Sequence, residues 1–332
     1  MKYEAIGYCW NDAVEKFTRQ DADRLTCVNL AFGLIRDGLL DLSLLKYLHL
    51  LPKLRGWNPQ LKIVLSVGGW AADGFSPMAM TEQGRRAFAA SCLETVETYG
   101  LDGIDIDWEY PCSDAAGIAA DPRDKENFTA LLRVLREKLG DDRILSVAVG
   151  ASRRCVQDTQ MDQVAQIVDY VQLMTYDMVD GTRAGHHAAL GASKGDTSGL
   201  NTREVVEDYH AAGVPYEKLI VGAAFYGRHF EVENRENNGL LQPSGGGLPG
   251  PTYGEITESY LRENGFQVLW DEDAEANYLW NGKTLVSYES PEAIRRKCEF
   301  VREKKLRGIM YWEHGNDPTR ELLGVIADTL GK

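Results

Sequence analysis

Three acids stand at alternate positions in Asp105-Ile-Asp107-Trp-Glu109. In an extended chain, side chains alternate faces. The three acids therefore share one face, while Ile104, Ile106 and Trp108 occupy the other. Neighbours on one face lie about 6.6 Å apart at Cα, twice the strand rise. Carboxyl groups that close resist joint ionisation, and the crowding raises the pKa of at least one. A raised carboxyl is what a general acid working near neutral pH requires. The apolar residues opposite, with Leu101 before them, imply a strand buried on both sides rather than a solvated acidic edge. Asp-x-Asp-x-Glu could also offer oxygens to a cation. Calcium loops, however, need a glycine-containing turn, and this run is β-branched. No metal and no cofactor are expected.

Further segments carry chemistry-bearing residues at the ends of apolar runs. They are Ser66-Val-Gly68-Gly69-Trp70, Gln172-Leu-Met174-Thr-Tyr176-Asp177, Phe225-Tyr226-Gly227-Arg228 and Gly308-Ile-Met-Tyr-Trp312-Glu313. Asp102-x-x-Asp105-x-Asp107-x-Glu109 resembles the signature of glycoside hydrolase family 18, the chitinase family. The other four segments resemble further family motifs in the family's order, so the likeness runs from Tyr3 to about the C-terminus. The resemblance implies that Glu109 protonates the glycosidic oxygen. Asp107 would orient the sugar's 2-acetamido group, Asp105 would set the protonation of Asp107, and Tyr176 would bind the acetamido oxygen. Met174, Asp177, Tyr226 and Arg228 are implied substrate contacts. Trp312 would form the floor under the sugar, because apolar sugar faces stack on aromatic planes. Gly69 and Trp70 would come from the third strand, and Tyr8 and Phe32 would complete the wall.

Positioning such residues on one rim asks for parallel strands joined by helices. Apolar, β-branched runs fit strands near Glu4–Cys9, Thr26–Phe32, Leu61–Val67, Gly103–Asp107, Ile144–Val149, Tyr170–Thr175, Leu219–Phe225 and Gly308–Trp312. Helical patterns fall near Asp41–Leu54, Thr81–Tyr99, Arg123–Leu139, Thr202–Ala212, Pro291–Lys304 and Pro318–Thr329. Ser290-Pro291 reads as an N-cap followed by proline at the first helical position. Eight strand–helix units fit an α/β fold, a (β/α)8 TIM barrel. The roughly 60 residues between Arg228 and Ser290 are too many for an ordinary βα loop. They suggest a barrel over 1–228 and 289–332, interrupted after strand 7 by a small α+β insertion over 229–288. Resemblance implies that the insertion walls the cleft. Ser244-Gly-Gly-Gly-Leu-Pro-Gly-Pro within it reads as a turn-rich loop, and Phe266–Trp270 and Thr284–Tyr288 read as strands.

The chain has 332 residues, with 36 Lys and Arg against 50 Asp and Glu, a net charge of −14. That balance disfavours nucleic acid and anionic membranes as partners. It suits a neutral polymer such as chitin or its oligosaccharides. No membrane-length apolar run and no apolar leader are visible, so a cytoplasmic monomer is expected, or a secreted one whose leader has been removed. The six cysteines form no C-x-x-C pair and read as buried thiols. His186-His187 reads as surface or loop-packing imidazoles.

These readings converge on a chitinase cutting β-1,4 linkages of N-acetylglucosamine polymers with retention, the acetamido group serving as nucleophile. Alternatives are an endo-β-N-acetylglucosaminidase on glycoprotein glycans and a chitin-binding lectin; lectins of this type lose the terminal acid, and Glu109 is present. Many relatives carry a Trp a few residues after the Met-Thr-Tyr-Asp segment. Here 177–183 has none, which weakens expected binding on the leaving-group side.

Overall fold

The computed structural model describes residues 3–179, 181–262 and 265–331. The strands, in chain order, are β1 (Glu4–Trp10), β2 (Cys27–Arg36), β3 (Leu39–Asp41), β4 (Lys62–Gly68), β5 (Gly103–Asp107), β6 (Ile144–Gly150) and β7 (Tyr170–Met174). There follow β8 (Leu219–Ala224), β9 (Tyr226–Glu231), β10 (Leu248–Thr252), β11 (Gln267–Asp271), β12 (Ala276–Trp280), β13 (Thr284–Tyr288) and β14 (Gly308–Trp312). Among the described residues eight of these pair in parallel, in the order β1-β14-β8-β7-β6-β5-β4-β2, and β1 pairs with β2 to close the ring. The chain is a (β/α)8 barrel.

The two faces of each barrel strand have separate tasks. Outward residues such as Ile104, Ile106 and Trp108 join the large layer under the helices. Inward residues, among them Ile6, Tyr8, Val64, Tyr170 and Met310, fill the barrel itself. Trp108 is 2% exposed, stacked on Phe75 at 5.1 Å and edge-on to Phe128 at 5.9 Å. Truncating such a side chain costs about 3–5 kcal/mol. The acid-bearing strand is thus anchored from behind.

The helices Glu82–Tyr99, Asp124–Leu139, Thr202–Ala211 and Pro291–Lys304 lie where the periodicity puts them. Ser290 caps the last of these, accepting from the Ala293 N–H. Residues 41–47 are not helical as the sequence pattern suggested. β2 runs past the barrel to Arg36 and turns back as β3 through Asp37 (φ +50) and Gly38 (φ +77). Asp-Gly with both residues at positive φ is the favoured two-residue hairpin turn. A helix follows only at Leu51–Trp57, and the last helix begins at Glu321 rather than Pro318.

A second, antiparallel sheet has the order β10-β9-β13-β12-β11. The glycine-rich stretch expected to be all turn supplies β10, paired with β9. Pro249 and Pro251 are tolerated there because β10 lies at the sheet's edge. Glu289, at the return to the barrel, accepts from the Ala224 N–H and pairs with Lys297 at 2.8 Å, both side chains almost fully buried. Lys297 also donates to Gly222 O at 2.9 Å. The end of β8, where barrel and second sheet meet, is held from below. Cys9 and Cys27 lie buried on β1 and β2, and Cys92 and Cys298 in helices. No described helix is long and apolar enough to cross a membrane.

Candidate active site

The C-terminal ends of β2, β4, β5, β7, β8 and β14 surround one cavity of about 480 Å³. Its lining is Phe32, Trp70, Asp107, Glu109, Tyr110, Met174, Tyr176, Asp177, Tyr226, Arg228 and Trp312. Barrels of this kind carry their sites on that rim. β5 ends at Asp107, so Glu109 sits just beyond the strand rather than on it, yet it reaches the same cavity.

Asp105 lies one layer below and is fully buried. Tyr8 and Ser66 hydroxyls donate to its Oδ2 at 2.8 and 2.7 Å. The Ser146 hydroxyl and the Gln172 amide donate to Oδ1 at 2.7 and 2.8 Å. Asn29 donates to the Gln172 carbonyl at 3.2 Å, which turns the amide nitrogen toward Asp105. Burial raises the Asp105 pKa, and the four donors pull it back without cancelling the shift.

Asp107 is 4% exposed, and its Oδ1 has no protein partner. Burial, then the charges of Glu109 and Asp105, raise its pKa well above the usual range. Burial also raises Glu109, against the pull of the Tyr110 hydroxyl and with a further push from Asp177, to about 7. The pair exchanges protons as a unit.

Asp177 is the third acid in the cavity, at φ +55. Burial alone would raise it, but His187 and Arg228 outweigh that and hold it well below the usual range. Arg228 Nε stands 2.6 Å from its Oδ1 and His187 Nδ1 3.5 Å. Asp177 is therefore an anion held by a cation, whereas Glu109 keeps its proton to a higher pH.

The aromatic walls come from distant strands. Phe32 stacks on Trp312 with centroids 5.4 Å apart, and Trp10 meets both rings edge-on. Tyr176 fits over β8 because Gly222 has no side chain: a Cβ there would stand 2.8 Å from its ring. A second lobe of about 550 Å³ shares Phe32, Trp70 and Trp312 and continues past Trp10, Leu34, Ile35 and Leu44. Trp70 is 62% exposed.

Gly69 lines this second lobe. It and Gly68 are at positive φ, and both are needed. A Cβ on Gly68 would fall 1.9 Å from Asp107 O, and one on Gly69 would strike the Phe32 ring. The Gly69 N–H donates to Asp107 O at 2.9 Å. The double glycine thus clamps the backbone of the acid row. Tyr8 does not line the cavity as expected; its phenol lies beneath Trp312 and serves Asp105.

Tyr110 and His187 were not among the expected site residues. His187 is fully buried against Tyr226, and His186 packs on Tyr278 and Asp271. Both are interior rather than surface groups. Asp180, in the segment without the Trp, lies outside the described residues. Among the described residues no cluster of three or more His, Cys, Asp or Glu could hold a metal.

The family model described as Glycosyl hydrolases family 18 matches residues 4–317. The chain belongs to glycoside hydrolase family 18. It is 34% identical over 299 residues to chitinase A1 of Niallia circulans, covering 82% of this chain and 43% of that protein. Chitotriosidase-1 of Mus musculus is 30% identical over 333 residues, covering 91% and 69%. Among solved structures, a family 18 N-acetylglucosaminidase from Paenibacillus barengoltzii aligns over 99% of this chain and 100% of that one, with TM-score 0.96 and 43% identity. The group IV chitinase of Ostrinia furnacalis in complex with allosamidin aligns with TM-score 0.87 and 30% identity, covering 99% and 98%.

Proposed function

We propose that this glycoside hydrolase cleaves β-1,4 linkages between N-acetylglucosamine units of chitin or chitooligosaccharides, with retention, and that the substrate's own acetamido group is the nucleophile. Glu109 protonates the leaving oxygen. Asp107 takes the acetamido N–H on its unpartnered carboxyl, Tyr176 holds the acetamido oxygen, and Trp312 carries the sugar. The carrying observation is the position of Asp107 beside Glu109 on the lining of one cavity, with one carboxyl oxygen buried and without a protein partner. A carboxylate nucleophile would have to stand across the sugar from the acid. The remaining cavity acid, Asp177, is engaged by Arg228. Tyr226 and Arg228 come from β9, which supports the antiparallel sheet as a wall of the cleft.

Observing the first-formed anomer by NMR tests the mechanism: β is expected, and an initial α product overturns it. The similarity to an N-acetylglucosaminidase favours a second reading, release of single N-acetylglucosamine units. The second lobe favours the first, since it extends the cleft beyond Trp312. Products from chitotetraose separate them, disaccharide for the chitinase and monosaccharide for the alternative. Release of glycan from a glycoprotein would instead indicate an endo-β-N-acetylglucosaminidase, and binding without any product a lectin.

A further inference from the structure

Among the described residues the second lobe is lined by a single charged side chain, that of Asp73, three positions beyond Trp70. Its Oδ1 accepts the Gly74 N–H at 2.7 Å and the Ala119 N–H at 3.0 Å. Ala119 belongs to the long segment between β5 and the next helix, so two separate parts of the chain fix where this carboxyl stands. Oδ2 has no partner among the described residues, and no described cation pairs with the group. Trp10 and Trp70 line the same lobe, 41% and 62% exposed. Indole rings stack on neutral sugars, and their faces also attract cations. The adjoining cavity does not oppose a positive charge. Of its lining only Arg228 is cationic, and Asp177 engages that guanidinium at 2.6 Å.

We propose that the second lobe takes a glucosamine unit, a deacetylated residue of the chain, with its ammonium on Asp73, so that partly deacetylated chitin is preferred over the fully acetylated polymer. The proposal rests on the reading of the enzyme as a chitinase. The unit carried by Trp312 must keep its acetamido group, since that group is the nucleophile; the amine belongs to a unit further along the cleft. Loss of an acetyl group leaves a primary amine, which at about pH 6 is charged as an α-amino group is. In an otherwise uncharged lobe it finds a carboxylate oxygen that nothing else holds, between two exposed indoles. A carboxylated sugar would meet Asp73 as a like charge and is disfavoured.

The test compares chitotetraose with the four tetramers that carry one glucosamine, at about pH 6 and low salt. The enzymes are the parent, Asp73→Asn, Asp73→Ala and Glu109→Gln, and mass spectrometry of the products shows which bond was cut. Asparagine keeps an oxygen for the Gly74 and Ala119 N–H groups and removes only the charge. For the parent, one glucosamine tetramer should exceed chitotetraose in kcat/KM by about three- to fivefold, the effect of one exposed ion pair. Asp73→Asn should abolish that advantage through KM and leave chitotetraose within about twofold of the parent. Salt at about 0.5 M should erase it in the parent, because exposed charges are screened. If Asp73 only ties its loop to the segment after β5, Asp73→Asn is neutral toward every substrate and Asp73→Ala slows all of them alike. That pattern overturns the proposal, as does a parent for which no glucosamine tetramer surpasses chitotetraose. If the parent does not cut chitotetraose, or Glu109→Gln does, the chitinase reading itself fails. If Glu109-dependent cleavage is seen while Asp73→Asn ranks the tetramers as the parent does, this inference alone falls.

Discussion

Asp105 and Asp107 sit two residues apart on one strand face, yet their surroundings are opposite. Asp105 is enclosed and has four donors from four other segments. Asp107 is nearly as buried, but one oxygen is free and its neighbours are acids. A carboxylate ringed by donors is fixed in place, and each hydrogen bond offsets part of the penalty that burial puts on its charge. A carboxyl without donors, beside other acids, changes protonation or accepts whatever the substrate brings. The lower layer is therefore scaffold and the upper layer is chemistry, and the boundary lies where β5 ends.

Disabling the upper layer should have the largest effect. Glu109→Gln keeps the shape and removes the proton, so turnover of chitooligosaccharides should fall by about 10² to 10⁴ with binding retained. Rates within tenfold of the parent would contradict the assignment. Asp107→Asn comes next, with a loss of about 10² in kcat. The amide can neither change protonation nor supply the charge that the proposed attack by the acetamido oxygen calls for. Steady-state kinetics of the two variants on one substrate rank them.

Changing the pH tests the same layer without mutation. Glu109 must be protonated to donate, and its pKa is raised to about 7. Activity should hold below that value and drop roughly tenfold per unit above it. A basic limb near the ordinary carboxylate range would show that the crowding has no kinetic consequence. The lower layer should respond least. Ser146→Ala removes one of the four donors to Asp105, and should cost about 1 kcal/mol of stability with a small change in kcat. Chemical denaturation and a single activity assay are enough to check it, and a hundredfold activity loss would place Asp105 among the reacting groups.

The face alternation of the acid row, the outward Trp108 and the order of strands and helices could all be read along the chain. Each depends on local periodicity, which burial then reinforces. The Asp37-Gly38 hairpin was also written in the sequence, as a turn signal between apolar residues. A helical pattern downstream obscured it. Tyr110 was hidden for a different reason. Continuing the alternation of β5 would turn its side chain away from the acids, but the strand stops at Asp107 and the rule stops with it. His187 carried no signal either, since what matters is the Asp177 carboxyl brought to it through a left-handed turn.

Residue types and their local spacing determined the acid row, the barrel and the cleft aromatics, because alternation and amphipathicity are properties of neighbouring residues. Only the tertiary structure decided how those groups are charged. The donors to Asp105 come from β1, β4, β6 and β7, and the partners of Asp177 from β9 and the loop after β7. A pKa is set by what surrounds a group within a few ångströms, and barrel closure supplies those neighbours from positions tens of residues away.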